Sequence, residues 1–259
     1  MYTDEQKKFR PKAIEHIRRE LEYVASANYP IRRVFLADGD AMTLSFRRLL
    51  EIMQLINELL PDIQRVSAYC LPRNVKNKTV EELQTLREMG LSLVYVGCET
   101  GDDLILEKVS KGESWQSSLD ALLKLQQAGI KRSVMILNGL GGLKYSEQHA
   151  LNSASLMNEA QPEFLATLVV TFYKGPQRLQ AGFEGEYQSL NPLQLAQEMK
   201  MMMSELELEK TIFRSDHASN YLVLKGVLNK DKERLLKTLD QVIHQPGSVA
   251  LRPEWLRRL

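Results

Sequence analysis

The sequence predicts an α/β fold built on a parallel sheet, and three observations carry that expectation. Short β-branched or apolar runs alternate with longer stretches of helical spacing that have charged faces. The apolar runs recur at roughly 30 to 35 residues, the span of a right-handed βαβ crossover. Each run closes on Gly, Asp or Asn, the residues that end strands and open loops.

Taken in order, the first helix is expected over about Pro11 to Val24, with Pro11 in the first turn, where a missing N–H costs nothing, and Ile14, Ile17, Leu21 and Val24 on one side. Arg33 to Ala37 follows as a buried strand. A helix from Ser45 to Leu60 turns Leu49, Ile52, Met53, Ile56 and Leu60 inward, and Pro61 stops it. Arg65 to Cys70 is the second strand. Thr79 opens the next helix with a capping-box spacing to Glu82, and Gly90 stands where a C-cap glycine belongs. The unit then repeats: strand Leu93 to Cys98, helix Trp115 to Ala128, strand Ser133 to Leu137, helix Ser146 to Ala160, strand Leu165 to Phe172. Residues 173–191, rich in Gly, Gln and Glu, read as a surface loop. A Met-rich helix from Pro192 to Leu206, a strand from Thr211 to Arg214, a helix from Asp231 to His244 and a basic tail complete the chain.

Composition bounds the function. The chain has 259 residues, 34 Lys+Arg against 33 Asp+Glu, and two cysteines. That length can bury a sizeable core without a covalent staple. The charge balance argues against a nucleic-acid surface spread over the molecule. Two cysteines exclude a disulfide framework and a four-cysteine metal or iron–sulfur site made by this chain alone. No apolar window reaches the roughly 18 residues a membrane helix needs, so the expectation is a cytoplasmic protein with reduced thiols.

In parallel α/β folds ligands gather at the carboxyl ends of the strands. Those ends here are Asp38-Gly39-Asp40, Tyr69 to Asn74, Gly97-Cys98-Glu99-Thr100-Gly101, Asn138-Gly139-Leu140-Gly141-Gly142 and Tyr173-Lys174-Gly175-Pro176. Four of the five carry glycine, which allows close backbone approach to a ligand but also ends strands for structural reasons. The carboxylates Asp38, Asp40 and Glu99 suit an amine or hydroxyl-rich ligand. A divalent cation on the same three would make an unrelated hydrolase, but no P-loop accompanies them and no metal site is assigned. NGLGG lacks the spacing of a dinucleotide fingerprint.

Cys70 and Cys98 end strands and read as small buried residues rather than nucleophiles. His16, His149 and His244 fall on helices and read as surface residues. His217 sits in a polar cluster with Arg214, Asp216, Ser219 and Asn220 that either binds substrate or caps structure. The Met201-Met202-Met203 run reads as adaptable packing. The tail, with Arg252, Trp255, Arg257 and Arg258, reads as a solvated terminus, with contact to RNA as the alternative.

Three segments together, FLADGDAM, YVGCETGDDLILEKVSKG and VMILNGLGG, resemble the radical S-adenosylmethionine (radical SAM) superfamily, near its Elongator-like and oxygen-independent coproporphyrinogen oxidase-like branch. FRSDHASNYLVLKG resembles a C-terminal block of small members. The resemblance implies a partial TIM-like (β/α)6 barrel over residues 1–190, lacking its first strand, with a C-terminal α+β extension over 191–259. It implies S-adenosylmethionine as cofactor, with Asp38, Gly39 and Asp40 in the place that contacts the methionyl amine. Glu99 takes the ribose or methionyl side, and Asn138, Gly139 and Gly141 lie beside adenine, with Ser67 as a further contact. Arg214, Asp216, His217 and Asn220 are the candidates for touching substrate.

The family's CxxxCxxC loop, whose thiolates hold a [4Fe–4S] cluster, is absent from this sequence. The family implication is that MYTDEQKKFRPKAIEHI follows directly after the third cysteine, so the chain reads as a truncated form. The full-length form is then expected to carry the cluster, take electrons from a donor protein and act on an unidentified small-molecule or other substrate, while the chain as given is inactive. The alternative is a cluster-free protein that binds an adenosyl compound or a partner. A missing first strand would leave Val34 to Leu36 on a sheet edge, which favours dimerisation or aggregation.

Overall fold

A computed structural model describes residues 10–27, 29–37, 39–172, 175–245 and 247–257. The elements are α1 (Ile14–Ser26), β1 (Arg33–Leu36), α2 (Phe46–Leu59), β2 (Arg65–Cys70), α3 (Pro72–Lys76), α4 (Val80–Glu88), β3 (Leu91–Glu99), α5 (Asp103–Lys108), α6 (Trp115–Gln127), β4 (Lys131–Asn138), α7 (Ser146–Ala160), β5 (Phe164–Val169), α8 (Gln177–Gly182), α9 (Pro192–Glu205), β6 (Ile212–Ser215), β7 (Leu224–Val227) and α10 (Leu228–His244). The seven strands form one open sheet in chain order, β1 to β7, with β1 at one edge. The β1–β2, β4–β5 and β5–β6 pairs are parallel, and β6–β7 is antiparallel. The expected α/β class and parallel sheet are therefore present. No helix among the described residues is long and apolar enough to cross a membrane.

Two compact units divide the chain: Met1–Tyr95 with Lys124–Lys131, and Val96–Leu123 with Arg132–Leu259. Strand β3 contributes residues to both. In the first unit α2 buries Leu49, Ile52, Met53, Leu55 and Ile56: Leu55 joins the stripe read from the spacing, and Leu60, expected inward, is half-buried at the C-cap. Ser45 caps α2 by accepting from the Arg48 amide. Thr79 and Glu82 close the expected capping box on α4.

In the second unit α9 packs on α7 and α10. Asn191 and Gln194 form a capping box behind Pro192, and Met199, Met202 and Met203 are core residues. The largest fully buried side chain is Arg132 at the start of β4. Its guanidinium reaches both oxygens of Glu163 and the carbonyls of Leu122, Ala160 and Gln161, so every donor nitrogen has a partner.

Several expectations need correction. Residues 175–191 are not an open loop: α8 forms there, and Phe183 and Tyr187 beyond it are buried with Ile105 and Leu140. Glycine and glutamine content concealed two aromatic anchors, Phe183 and Tyr187, in the ten residues ahead of α9. The short helices α3 and α5 and strand β7 go beyond the sequence expectation, because four to six residues carry too little periodicity. His149 is 1 % exposed rather than a surface residue. The tail is tied down as well: Arg252 donates to the carbonyls of His217, Ala218 and Asn220, and buried Arg257 donates to that of Ser219. Trp255 is 70 % exposed, as a solvated terminus requires. Arg258 lies outside the described residues.

Candidate functional site

Within the first unit, the β1 strand end is a tight clip. Asp38 lies outside the described residues; Gly39 and Asp40 form the turn that follows β1. Asp40 accepts from the Met42 amide at 3.2 Å, from the Leu71 amide at 2.9 Å and from Asn74 Nδ2. Lys78, 5 % exposed, donates to the carbonyls of Met42 (2.7 Å) and Asn74 (3.0 Å). Burial raises the Asp40 carboxyl above the usual carboxylate range, and its three hydrogen bonds oppose that shift. Burial likewise lowers Lys78. Asn74 and Lys78 come from the YCLPRN end of β2 and the loop after it, so the unit joins two strand ends that sequence reading could only place separately. Ser67 is buried on β2, its hydroxyl 3.5 Å from the Val34 carbonyl.

Within the second unit, β3 ends on Glu99, whose backbone is left-handed at φ 70°. A non-glycine residue held there stores strain of about 1 kcal/mol or more. The carboxylate folds back over its own strand. A methyl group at Gly97 would stand 2.7 Å from Glu99 Oε1, so glycine leaves the room that carboxylate occupies. Lys111, 5 % exposed, pairs with Oε1 at 2.9 Å.

The turn after β4 is held from both sides of one peptide. Glu198 of α9 accepts the Gly139 amide at 2.6 Å, and the Tyr187 hydroxyl donates to the Gly139 carbonyl at 2.8 Å. Gly139 has φ 82°, a backbone that a side chain would strain. Gly141 lies in the same turn, and buried Asn138 precedes it. Glu198 also accepts from Ser146 Oγ at 2.6 Å, and its carboxyl is pushed up to about 7 by burial.

His149 Nε2 lies 3.9 Å from Glu198. Burial lowers the imidazole to about 4, so at neutral pH it is uncharged and no ion pair forms. Its other nitrogen meets Thr100 Oγ1 at 2.8 Å. Thr100 accepts the Asp102 amide, and Asp102 caps α5 and accepts from Gln148 and Asn152. A buried polar chain thus runs from the β4 turn through α9 and α7 to the β3 turn. His149, Tyr187 and Glu198 of this chain, and Lys111 beside Glu99, are the residues that sequence reading missed, because their partners are set by tertiary contact.

The HASN segment serves as a tie. His217 Nδ1 meets Ser219 Oγ at 2.9 Å, Ser219 Oγ accepts the Val169 amide, and Asn220 donates to the Thr167 carbonyl. Asp216 pairs with Lys225 at 2.9 Å, and Arg214 is exposed on β6. The cavity beside Asn138, Ser215 and Asn220 measures about 30 Å³, room for one or two waters.

The cysteines do not fit an iron–sulfur cluster. Cys70 and Cys98 are 2 % and 1 % exposed, and burial raises the Cys98 thiol to about 12, far from the thiolate a metal needs. Among the described residues no three His, Cys, Asp or Glu side chains stand close enough to hold a metal ion.

Comparison with known proteins gives one consistent picture. The family described as the Radical SAM superfamily matches residues 2–154. The heme chaperone HemW of Bacillus subtilis is 26% identical over 151 residues, which are 57% of this chain and 39% of that protein. The chain therefore spans about two fifths of that relative's length. Among solved structures, coproporphyrinogen III oxidase HemN from Escherichia coli aligns with a TM-score of 0.59 at 15% identity, covering 74% of this chain and 45% of that one. Elp3 of the archaeon Methanocaldococcus infernus aligns with a TM-score of 0.54 at 13% identity, covering 91% and 59%.

Proposed function

The chain belongs to the radical SAM superfamily, and from that premise we propose that its strand ends bind S-adenosylmethionine. The observation that carries this reading is the β4 turn, where the Gly139 peptide is fixed at both N–H and C=O by buried side chains. A turn held that firmly suits the flat face of an adenosyl group, because a preset backbone loses no entropy on binding. Asn138, Gly139 and Gly141 are assigned to that part of the ligand. Glu99, strained and paired with Lys111, is assigned to the ribose or methionyl hydrogen bonds. Gly39 and Asp40, with Asp38, take the amine, and Ser67 is a further contact. The three donors already on Asp40 leave it one lone-pair direction or so for a ligand amine. Arg214, Asp216, His217 and Asn220 are kept as substrate-side candidates, with the exposed Arg214 best able to reach one and Asp216 half-buried against Lys225.

In the superfamily's chemistry a [4Fe–4S] cluster supplies the electron that cleaves the sulfonium and yields a 5′-deoxyadenosyl radical. The two thiols of this sequence do not fit that cluster, so the chain by itself binds but does not turn over. The whole protein's reaction then draws its thiolates and its electron donor from outside this sequence, and acts on an unidentified substrate. A second reading is favoured by the burial of both thiols: a cluster-free binder of an adenosyl compound or of a protein partner.

Equilibrium dialysis of S-adenosylmethionine against the iron-free chain tests the first step, with binding expected and its absence excluding both adenosyl readings. Anaerobic addition of iron and sulfide separates them. Iron–sulfur absorption that persists after gel filtration would favour a cluster held by this chain and would overturn the assignment of silent thiols.

A further inference from the structure

We infer that the face of the sheet carrying Phe35, Tyr69 and Tyr95 is a binding surface for a small molecule that joins a planar ring to an anionic group, with the anion received by Arg33 and Arg65. Calling that molecule the substrate rests on the proposed radical SAM reading; the binding surface does not.

Three observations within the first unit converge. Arg33 of β1 and Arg65 of β2 are partners in the parallel ladder, so two like charges start side by side on one face. Directly opposed like charges destabilise a sheet unless an anion joins them. Neither guanidinium has a hydrogen-bond or ion-pair partner among the described residues, and Arg65 Nε is buried without one. A buried donor left unpaired costs about 1–3 kcal/mol, which a ligand acceptor would recover. Among the described residues Arg132 gives the contrast, with every donor of its guanidinium used.

The third observation is the ring cluster on the same face. Phe35 lies 4.9 Å from Tyr69 and 5.7 Å from Tyr95, and the two tyrosines are 6.0 Å apart. Phe35 is 39% exposed and Tyr69 is 47% exposed. Tilted rings with open faces and edges accept a further ring by offset or edge contact. Side chains at every second position share a face, so Arg65, Ser67 and Tyr69 form one row and Arg33 and Phe35 the next. A two- to four-residue offset separates guanidinium and ring levels by roughly 7–13 Å before side-chain reach is counted. The arginines stand at the amino ends of their strands and the rings toward the carboxyl ends. The ligand's ring end therefore points in the direction where these strands finish.

The test uses the full chain and three probes: indole-3-butyrate, its neutral amide, and octanoate as an anion without a ring. Ligand-observed NMR titration should show indole-3-butyrate binding at least fivefold tighter than either analogue. Arg65→Met should weaken indole-3-butyrate about tenfold and leave the amide unchanged, with Arg33→Met acting in the same direction. Tyr69→Leu should weaken both indole ligands and spare octanoate. Neither arginine variant should lower the melting temperature, since each removes a repulsion. Equal binding of the three probes, or an anion preference that survives both arginine variants, would overturn the inference. Because no adenosyl compound or iron is used, a positive result stands even if S-adenosylmethionine does not bind, and a negative one leaves that binding open.

Discussion

Glu198 Oε1 and the Gly139 amide lie 2.6 Å apart, and this single contact joins a helix near residue 200 to the turn that ends β4. Both partners are buried, and Ser146 fills the second carboxylate oxygen. The turn's conformation is therefore set by a residue some 60 positions downstream, not by its glycines alone.

Removing that carboxylate should be costly in a graded way. Glu198→Ala leaves the Gly139 N–H and the Ser146 hydroxyl without a buried partner, and a loss of about 2–4 kcal/mol in urea unfolding is expected. Glu198→Gln keeps both contacts, the amide oxygen accepting from Gly139 and its NH2 donating to Ser146. It should recover most of that loss. Equal destabilisation by the two variants would show that the hydrogen bonds are not what matters.

The Glu198 and His149 pair predicts an unusual pH response. Glu198 titrates at about 7 folded against 4.5 unfolded, so its contribution is present below about 4.5 and is lost as pH rises through 7. His149 titrates at about 4 folded against 6.5 unfolded, so its contribution is present above 6.5 and is lost as pH falls through 4. Each amounts to about 3 kcal/mol, and between pH 4.5 and 6.5 the two slopes oppose one another. The pair should leave little net slope in that window. Glu198→Gln should uncover a stability that rises with pH, and His149→Gln one that falls. Chemical denaturation across this range checks both signs; parallel pH curves for the two variants would contradict them.

Arg132 offers a test of geometry against charge. Its planar fork satisfies Glu163 and three carbonyls together, which an ammonium cannot do. Arg132→Lys should lose about 2–4 kcal/mol despite keeping the charge. Retention of wild-type stability would mean that only the charge counts.

Much of this protein is legible in its sequence, and the limits have physical causes. The long helices and the buried strands show because ten or more residues give periodicity time to assert itself, as in α2 and α10. The placement of Thr79, Asn191 and Pro192 at helix starts follows from local backbone chemistry. What sequence could not show are partners set by tertiary contact. Nothing near His149 says that it will be buried against Thr100, and nothing in EMKMMMSE says that its first glutamate reaches Gly139. The aromatic anchors Phe183 and Tyr187 were hidden by polar neighbours. The tail arginines looked solvated because their acceptors are backbone carbonyls, which leave no mark in a sequence.

The most direct test of the central claim is the dissociation constant of S-adenosylmethionine for the iron-free chain, measured beside Gly97→Ala and Glu99→Gln. The methyl at Gly97 meets the carboxylate end of Glu99 and, at 3.7 Å, Lys111 Nζ, both side-chain ends rather than backbone, so the fold should survive while the carboxylate is displaced. The account predicts measurable binding that weakens about tenfold in both variants, a loss of roughly 1.4 kcal/mol. No binding by the wild-type chain, or binding that neither variant alters, would contradict the assignment of Glu99 and of the strand ends as the adenosyl site.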